Sequence, residues 1–192
     1  MKNNKIRRMT TAALLVALIV VLQLLGYVLP KVGPFGLSFV LIPIVIGAAY
    51  LGVAYGAFLG AVFGVIVCIC CANGMDVGGQ MVWQANPFLC VFVVMLKGML
   101  AGALSGLVYK ALSKKNSYIA MLCAAIVCPL ANTGIFLLGM NVFFADVLAS
   151  WAGGSNIITY MLSGIVLINF VPELIINVAF SPAGQRILHA IK

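Results

Sequence analysis

Charge is the scarcest commodity in this sequence. Only 7% of its residues are Asp, Glu, Lys or Arg, and only three of the 192 are acidic. A water-soluble domain carries about 25% charged residues, so there is too little polar surface here to cover a globule. Histidine occurs once, as His189, which leaves no His-centred cluster for a membrane-embedded enzyme. No GxxxxGK[ST] stretch or other nucleotide motif is present, so the chain has no recognisable cradle for phosphates. Any energised work must draw on a partner. The six cysteines, at 68, 70, 71, 90, 123 and 128, lie in or beside apolar segments away from the histidine. A zinc site wants closed Cys/His sets; these cysteines read instead as small membrane hydrophobes. Cys68, Cys70 and Cys71 beside Asp76 are the one group worth testing for a metal, and no metal or cofactor is expected.

What the chain has is long apolar runs. It is 65% hydrophobic, with a mean hydropathy of +1.23. The sequence therefore reads as an all-α integral membrane protein in a single membrane domain, 1–192. A crossing needs about 20 apolar residues. The expected helices are 9–29, 37–51, 53–72, 87–109, 118–138 and 157–180. The N-terminal segment imitates a signal peptide, but its apolar run is too long and no small-x-small cleavage site follows, so it is expected to be retained as the first helix. Residues 37–72 form one nearly continuous run. As a single helix it would be about 54 Å long, which suits two short crossings broken at Tyr50-Leu51-Gly52, where glycine can take a turn conformation. The result is a compact bundle of six transmembrane helices.

The net charge of +8 comes from eleven basic residues. Nine of the eleven (Lys2, Lys5, Arg7, Arg8, Lys110, Lys114, Lys115, Arg186 and Lys192) fall at one end of that topology. The bias of basic residues toward the cytoplasm puts both termini inside. The outer loops are then 30–36, 73–86 and 139–156, and they carry Asp76, Asp146, Trp83 and Trp151.

Polar residues inside the helices carry the chemistry. Lys97 sits near the middle of the fourth helix, where a lysine costs about 2.5–3.5 kcal/mol, so it should face the interior or a wet cavity. It either binds an anionic group of a substrate or pairs with Glu173, and the two readings are compatible. Asn169, Glu173 and Asn177 are spaced by four and share one helical face, with Pro172 placed to kink the backbone. This stripe is either a seam between helices or, at Asn169, part of a site. Asn132, beside Thr133 in the outer half of the fifth helix, has an amide that can donate and accept. Gln80, Gln84 and Asn86 flank Trp83 in an outer loop and form a candidate recognition segment, although Trp83 also suits an interfacial anchor. Phe35 lies in a Gly/Pro-rich outer loop that could be a lid or a tight connection.

Glycine is the other abundance. In lipid, small residues every four positions let helix backbones approach. Gly56, Gly60 and Gly64 form one such face and Gly98, Gly102 and Gly106 another; Ala13 and Ala17 form an AxxxA patch on the first helix.

Taken together, IPIVIGAAYLGVAYGAFLGAVFGV, KGMLAGALSGLVYKAL and PLANTGIFLLGMNVFF, in that order behind a basic start and AxxxA, resemble the substrate-binding S component of an energy-coupling factor (ECF) vitamin transporter. The resemblance covers nearly the whole chain. It implies a micronutrient cavity near the outer face, formed by the last three helices and the loops joining helices one to two and three to four. It also implies a membrane coupling subunit docked at Ala13 and Ala17, and two partner ATPase subunits whose hydrolysis topples the S component. Such a protein is not itself an enzyme. It would reside in a prokaryotic plasma membrane. Lys97 and Asn132 favour a small carboxylate with hydroxyl or amide groups, and pantothenate fits. The fourth-helix pattern is more like the pantothenate/riboflavin branch than the thiamine or biotin branches. Few aromatics in the proposed cavity argue against a flavin. The competing classes are a free-standing secondary transporter or channel, which would need coupling-ion ligands or inverted repeats, and a membrane-embedded enzyme.

Overall fold

Gly52 divides the longest apolar run. Its φ of 104° lies where side-chain-bearing residues are strained, and the helices on either side end at Leu51 and begin at Val53. The computed structural model describes residues 2–28 and 39–191, with side chains over 5–26 and 39–188. Among these residues all regular structure is helical. In chain order the elements are α1 (Lys2–Val28), α2 (Leu41–Leu51), α3 (Val53–Ala72), α4 (Val77–Ala85), α5 (Pro87–Leu112), α6 (Ser117–Phe143), α7 (Ala145–Ala152), α8 (Ile157–Tyr160), a π-helical segment (Met161–Phe170) and α9 (Val171–Ile191).

Five helical stretches are long and apolar enough to cross a membrane: Lys5–Gly26, Val53–Ala72, Pro87–Leu112, Ser117–Phe143 and Ile157–Leu188. The second expected crossing is represented by α2, which starts at Leu41 rather than 37 and has 11 residues, about 16 Å of rise. The break at residue 52 and the span 53–72 agree with the sequence reading. The later helices run longer than expected. α5 begins with Pro87 at its first position, where a missing N–H costs nothing, and Asn86 caps it by accepting from the Leu89 N–H at 3.1 Å.

Two segments read as loops contain short helices. α4 is started by Asp76, whose Oδ1 accepts from the Gly79 N–H at 3.0 Å, a standard N-cap role. α7 ends at Gly153 in the left-handed conformation. Both helices have only two buried residues each, too weak an apolar period to stand out in sequence. The Trp151 Nε1–H donates to Met81 Sδ at 3.1 Å and ties α7 to α4.

The expected kink at Pro172 takes another form. The π-helical run ends beside it, with the Val171 N–H bonded to the Val166 carbonyl, five residues back. Proline has no N–H and needs room around the carbonyl four residues earlier; a widened turn provides that room. Asn169 lies within the π-helical run, whereas Glu173 and Asn177 lie in α9. Those two are 2% exposed, and the Asn177 Nδ2 donates to the Glu173 backbone carbonyl.

The core is organised around α3 and α5, the most extensive helix pair in the bundle. A Cβ built on Gly60 would strike the carbonyl of Gly98, and one on Gly98 the carbonyl of Gly60; Gly56 and Gly102 are related the same way. Gly64 faces Met95, and Gly106 faces Val53. Backbone-to-backbone contact of this kind replaces the hydrophobic driving force that lipid cannot supply.

The two ends of the bundle differ. At one end the Arg8 Nη2 donates to the Leu51 carbonyl at 2.5 Å and its guanidinium lies 5.5 Å from the Tyr55 ring centroid. At this end too, Tyr109 is hydrogen-bonded to Ser117 and the Gln185 Nε2 donates to Ser117 Oγ. The opposite end carries α4 and α7.

Candidate functional site

Lys97 projects from α5 one residue before Gly98, so the glycine clasp with α3 sets its direction. Among the described residues its partners are ring faces rather than a carboxylate: Nζ lies 4.6 Å from the Phe136 centroid and 5.9 Å from that of Phe63. Cation–π contacts of this length hold an ammonium without neutralising it.

Lys97 lines a cavity between α3, α5, α6 and the π-helical segment, with Asp76 and the α4 residues Gly79 and Val82 also in its lining. Cavity side chains include Asn132, Thr133 and Phe136 from α6, Asn169 from the π-helical segment, and Cys71 and Cys90 from α3 and α5. The enclosed and mouth space together is ≈ 490 Å³, but only ≈ 60 Å³ of it admits the centres of water-sized groups. A water needs about 10–15 Å³ on that measure, so the space accommodates a few waters or a small polar group.

Two of the side chains lining this space, Asn132 and Asn169, carry an acceptor without a partner. Asn132 Oδ1 and Asn169 Oδ1 are buried and make no hydrogen bond, and Asn132 as a whole is 6% exposed. An unsatisfied buried acceptor costs about 1–3 kcal/mol. Two beside an un-neutralised cation form a surface complementary to a ligand with a carboxylate and N–H or O–H donors.

Three of the residues singled out from sequence (Lys97, Asn132 and Asn169) thus come together in one cavity. The recognition segment reaches the lining through Gly79 and Val82, not through Gln80, Trp83, Gln84 or Asn86. Asn86 is occupied as the α5 cap, Gln84 is exposed, Gln80 packs beside Gly74, and Trp83 lies half-buried against the core. Phe35 lies outside the described residues. Ala13 and Ala17 are exposed on α1, on the side away from buried Ala12 and Ile19.

Sequence reasoning did not assign Asp76, Phe136, Cys71 or Cys90 to the site. Asp76 carried a signal, as one of three acidic residues in the chain; Phe136 carried none, since it reads as one more apolar helix residue. The Cys71 and Cys90 thiols lie beside each other. No group of three or more His, Cys, Asp or Glu side chains suited to a metal occurs among the described residues.

Comparison with known proteins places these features in context. The family described as "ECF transporter, substrate-specific component" matches residues 7–182. The chain is 29% identical over 196 aligned residues to the pantothenic acid transporter PanT of Lactococcus lactis subsp. cremoris (strain MG1363), covering 95% of this chain and 94% of that one. No solved structure matches the chain.

Proposed function

The chain belongs to the family of substrate-specific components of ECF transporters, and from that premise we propose that it binds pantothenate and delivers it for ATP-driven uptake. It is a transporter component and not an enzyme. The observation that carries the choice of ligand is the juxtaposition of the Lys97 ammonium with the two unpartnered Oδ1 atoms of Asn132 and Asn169. A carboxylate forms a charge-assisted hydrogen bond with Lys97, and an amide N–H and hydroxyls satisfy the asparagines. The similarity to a pantothenic acid transporter across 95% of the chain supports the same ligand. Among the described residues one aromatic ring, Phe136, lines the cavity, which favours a ligand that need not be stacked.

The space open at present is smaller than this ligand, so binding requires the side chains and helices around the cavity to move apart. In this reading the polypeptide crosses a prokaryotic plasma membrane six times, with α2 as a short crossing and both termini cytoplasmic. The basic residues then face the cytoplasm, and the cavity opens outward. Ala13 and Ala17 form the docking face for a coupling subunit that works with two ATPase subunits. Their exposure on α1 suits a helix surface made for close approach.

The test is direct binding. The full-length protein in detergent is heated with a panel of vitamins. A ligand that binds only the folded state raises the melting midpoint, by RT ln(1 + [L]/Kd) in free energy. Pantothenate is expected to stand out. A selective shift by a different vitamin, or by none, overturns the assignment.

A further inference from the structure

The cavity has two charged ends. Asp76 and Lys97 both line it, and no ion pair joins them among the described residues; the ammonium is held by ring faces, and the carboxylate accepts from the Gly79 N–H through Oδ1. Their separation follows from the helix between them. A Cβ on Gly79 would touch both the Asp76 carboxyl carbon and the Cys71 sulfur, and Cys71 in turn contacts Cys90. Asp76 therefore lies at the level of Cys90. The backbone of Lys97 is seven residues further along α5, about 10 Å deeper. Its long side chain reaches back toward the Cys90 level, so the two charges face one small space from different elements.

An elongated ligand in such a cavity has its polarity set by charge, with the anionic end at Lys97 and the other end at Asp76. A neutral hydroxyl group at the Asp76 end donates a hydrogen bond to the carboxylate; a second anion there meets a like charge in a partly desolvated mouth. We infer that Asp76 is a selectivity residue, admitting monocarboxylates whose far end is a hydroxyl and rejecting the same molecules once that hydroxyl carries a phosphate. This inference rests on the pantothenate reading and adds to it the chemical state of the ligand's far end. It also gives Asp76 a role beyond starting α4.

The experiment is calorimetric titration of the full-length protein in detergent with pantothenate and with pantothenate phosphorylated on its primary hydroxyl. Wild type is expected to bind the phosphate ester more weakly, by roughly tenfold or more, as like-charge contacts across an interface do. Asp76→Asn removes the charge, keeps nearly the same shape and remains a good helix cap; it should bring the two affinities toward each other. Asp76→Ser, also a cap former, should do the same by a different geometry. Equal binding of both ligands by wild type overturns the inference, and so does an unchanged affinity ratio in both variants, which would mean exclusion by size. Wild type that binds neither ligand overturns the pantothenate reading and this inference with it, whereas the other two results leave that reading standing.

Discussion

Gly60 of α3 and Gly98 of α5 meet backbone to backbone: a Cβ on either residue would strike the carbonyl of the other. Lys97, whose ammonium lines the cavity, is the next residue along the chain from Gly98. The clasp therefore does two things, holding the central helix pair together and fixing the rotation of α5 that aims the cation inward.

Gly60→Leu should lower the melting midpoint strongly, because the collision is with backbone and cannot be relieved by a side chain turning away. Overpacking of this kind costs about 1–3 kcal/mol or more. Gly134→Ala in α6, where nothing lies within 4 Å of the added atom, should leave the midpoint unchanged or raise it, since alanine is favoured over glycine in a helix by about 1 kcal/mol. Thermal melts of both variants in one detergent make the comparison. Equal effects would mean that the α3–α5 clasp is not a source of stability.

Lys97→Ala should weaken pantothenate binding by about 10- to 100-fold, the equivalent of losing one charged hydrogen bond of about 1.5–3 kcal/mol. The variant should melt no earlier than wild type, because burying a lysine in the membrane is itself costly. Titration calorimetry with parallel melts reads both quantities. Unchanged affinity would leave Lys97 with a packing role on Phe136 alone.

Asn132→Leu should move affinity and stability in opposite directions. The side chain keeps its approximate size and loses an acceptor that is buried without a partner, so the unliganded protein should gain about 1–3 kcal/mol. Binding should weaken, because the ligand's donor then has nowhere to go. A variant that loses both stability and binding would show that Asn132 has a structural role.

Ala13→Trp with Ala17→Trp should leave vitamin binding in detergent intact, since both residues are exposed on α1 and neither lines the cavity. The same double variant should fail to co-purify with the coupling subunit and should lose uptake in cells that contain the whole transporter. Full uptake by the double variant would move the docking face elsewhere.

Much of the fold was legible along the chain. The membrane class followed from scarce charge, and the span Val53–Ala72 and the break at Gly52 appear where the apolar runs and a glycine place them. The candidate site was partly legible, because a lysine or an asparagine in a run of hydrophobic residues is conspicuous. α4 and α7 were not legible, since each buries only two residues, α4 is capped by one side-chain bond from Asp76, and α7 has no side-chain cap at its start. The π-helical turn before Pro172 was not legible either. Proline announces that the backbone ladder will be disturbed, but whether by a kink or a widened turn depends on the neighbouring helices.

The sequence by itself determined that this chain belongs in lipid, which residues interrupt its apolar runs, and which small residues allow helices to touch. Those are properties of composition and spacing, and they act on each helix separately. Only the tertiary structure decided that Lys97, Asn132 and Asn169, drawn from three different helical segments, line one space together with Asp76. Convergence of this kind depends on the rotation of each helix about its axis. That rotation is set by contacts between helices, such as Gly60 against Gly98, which no single segment contains.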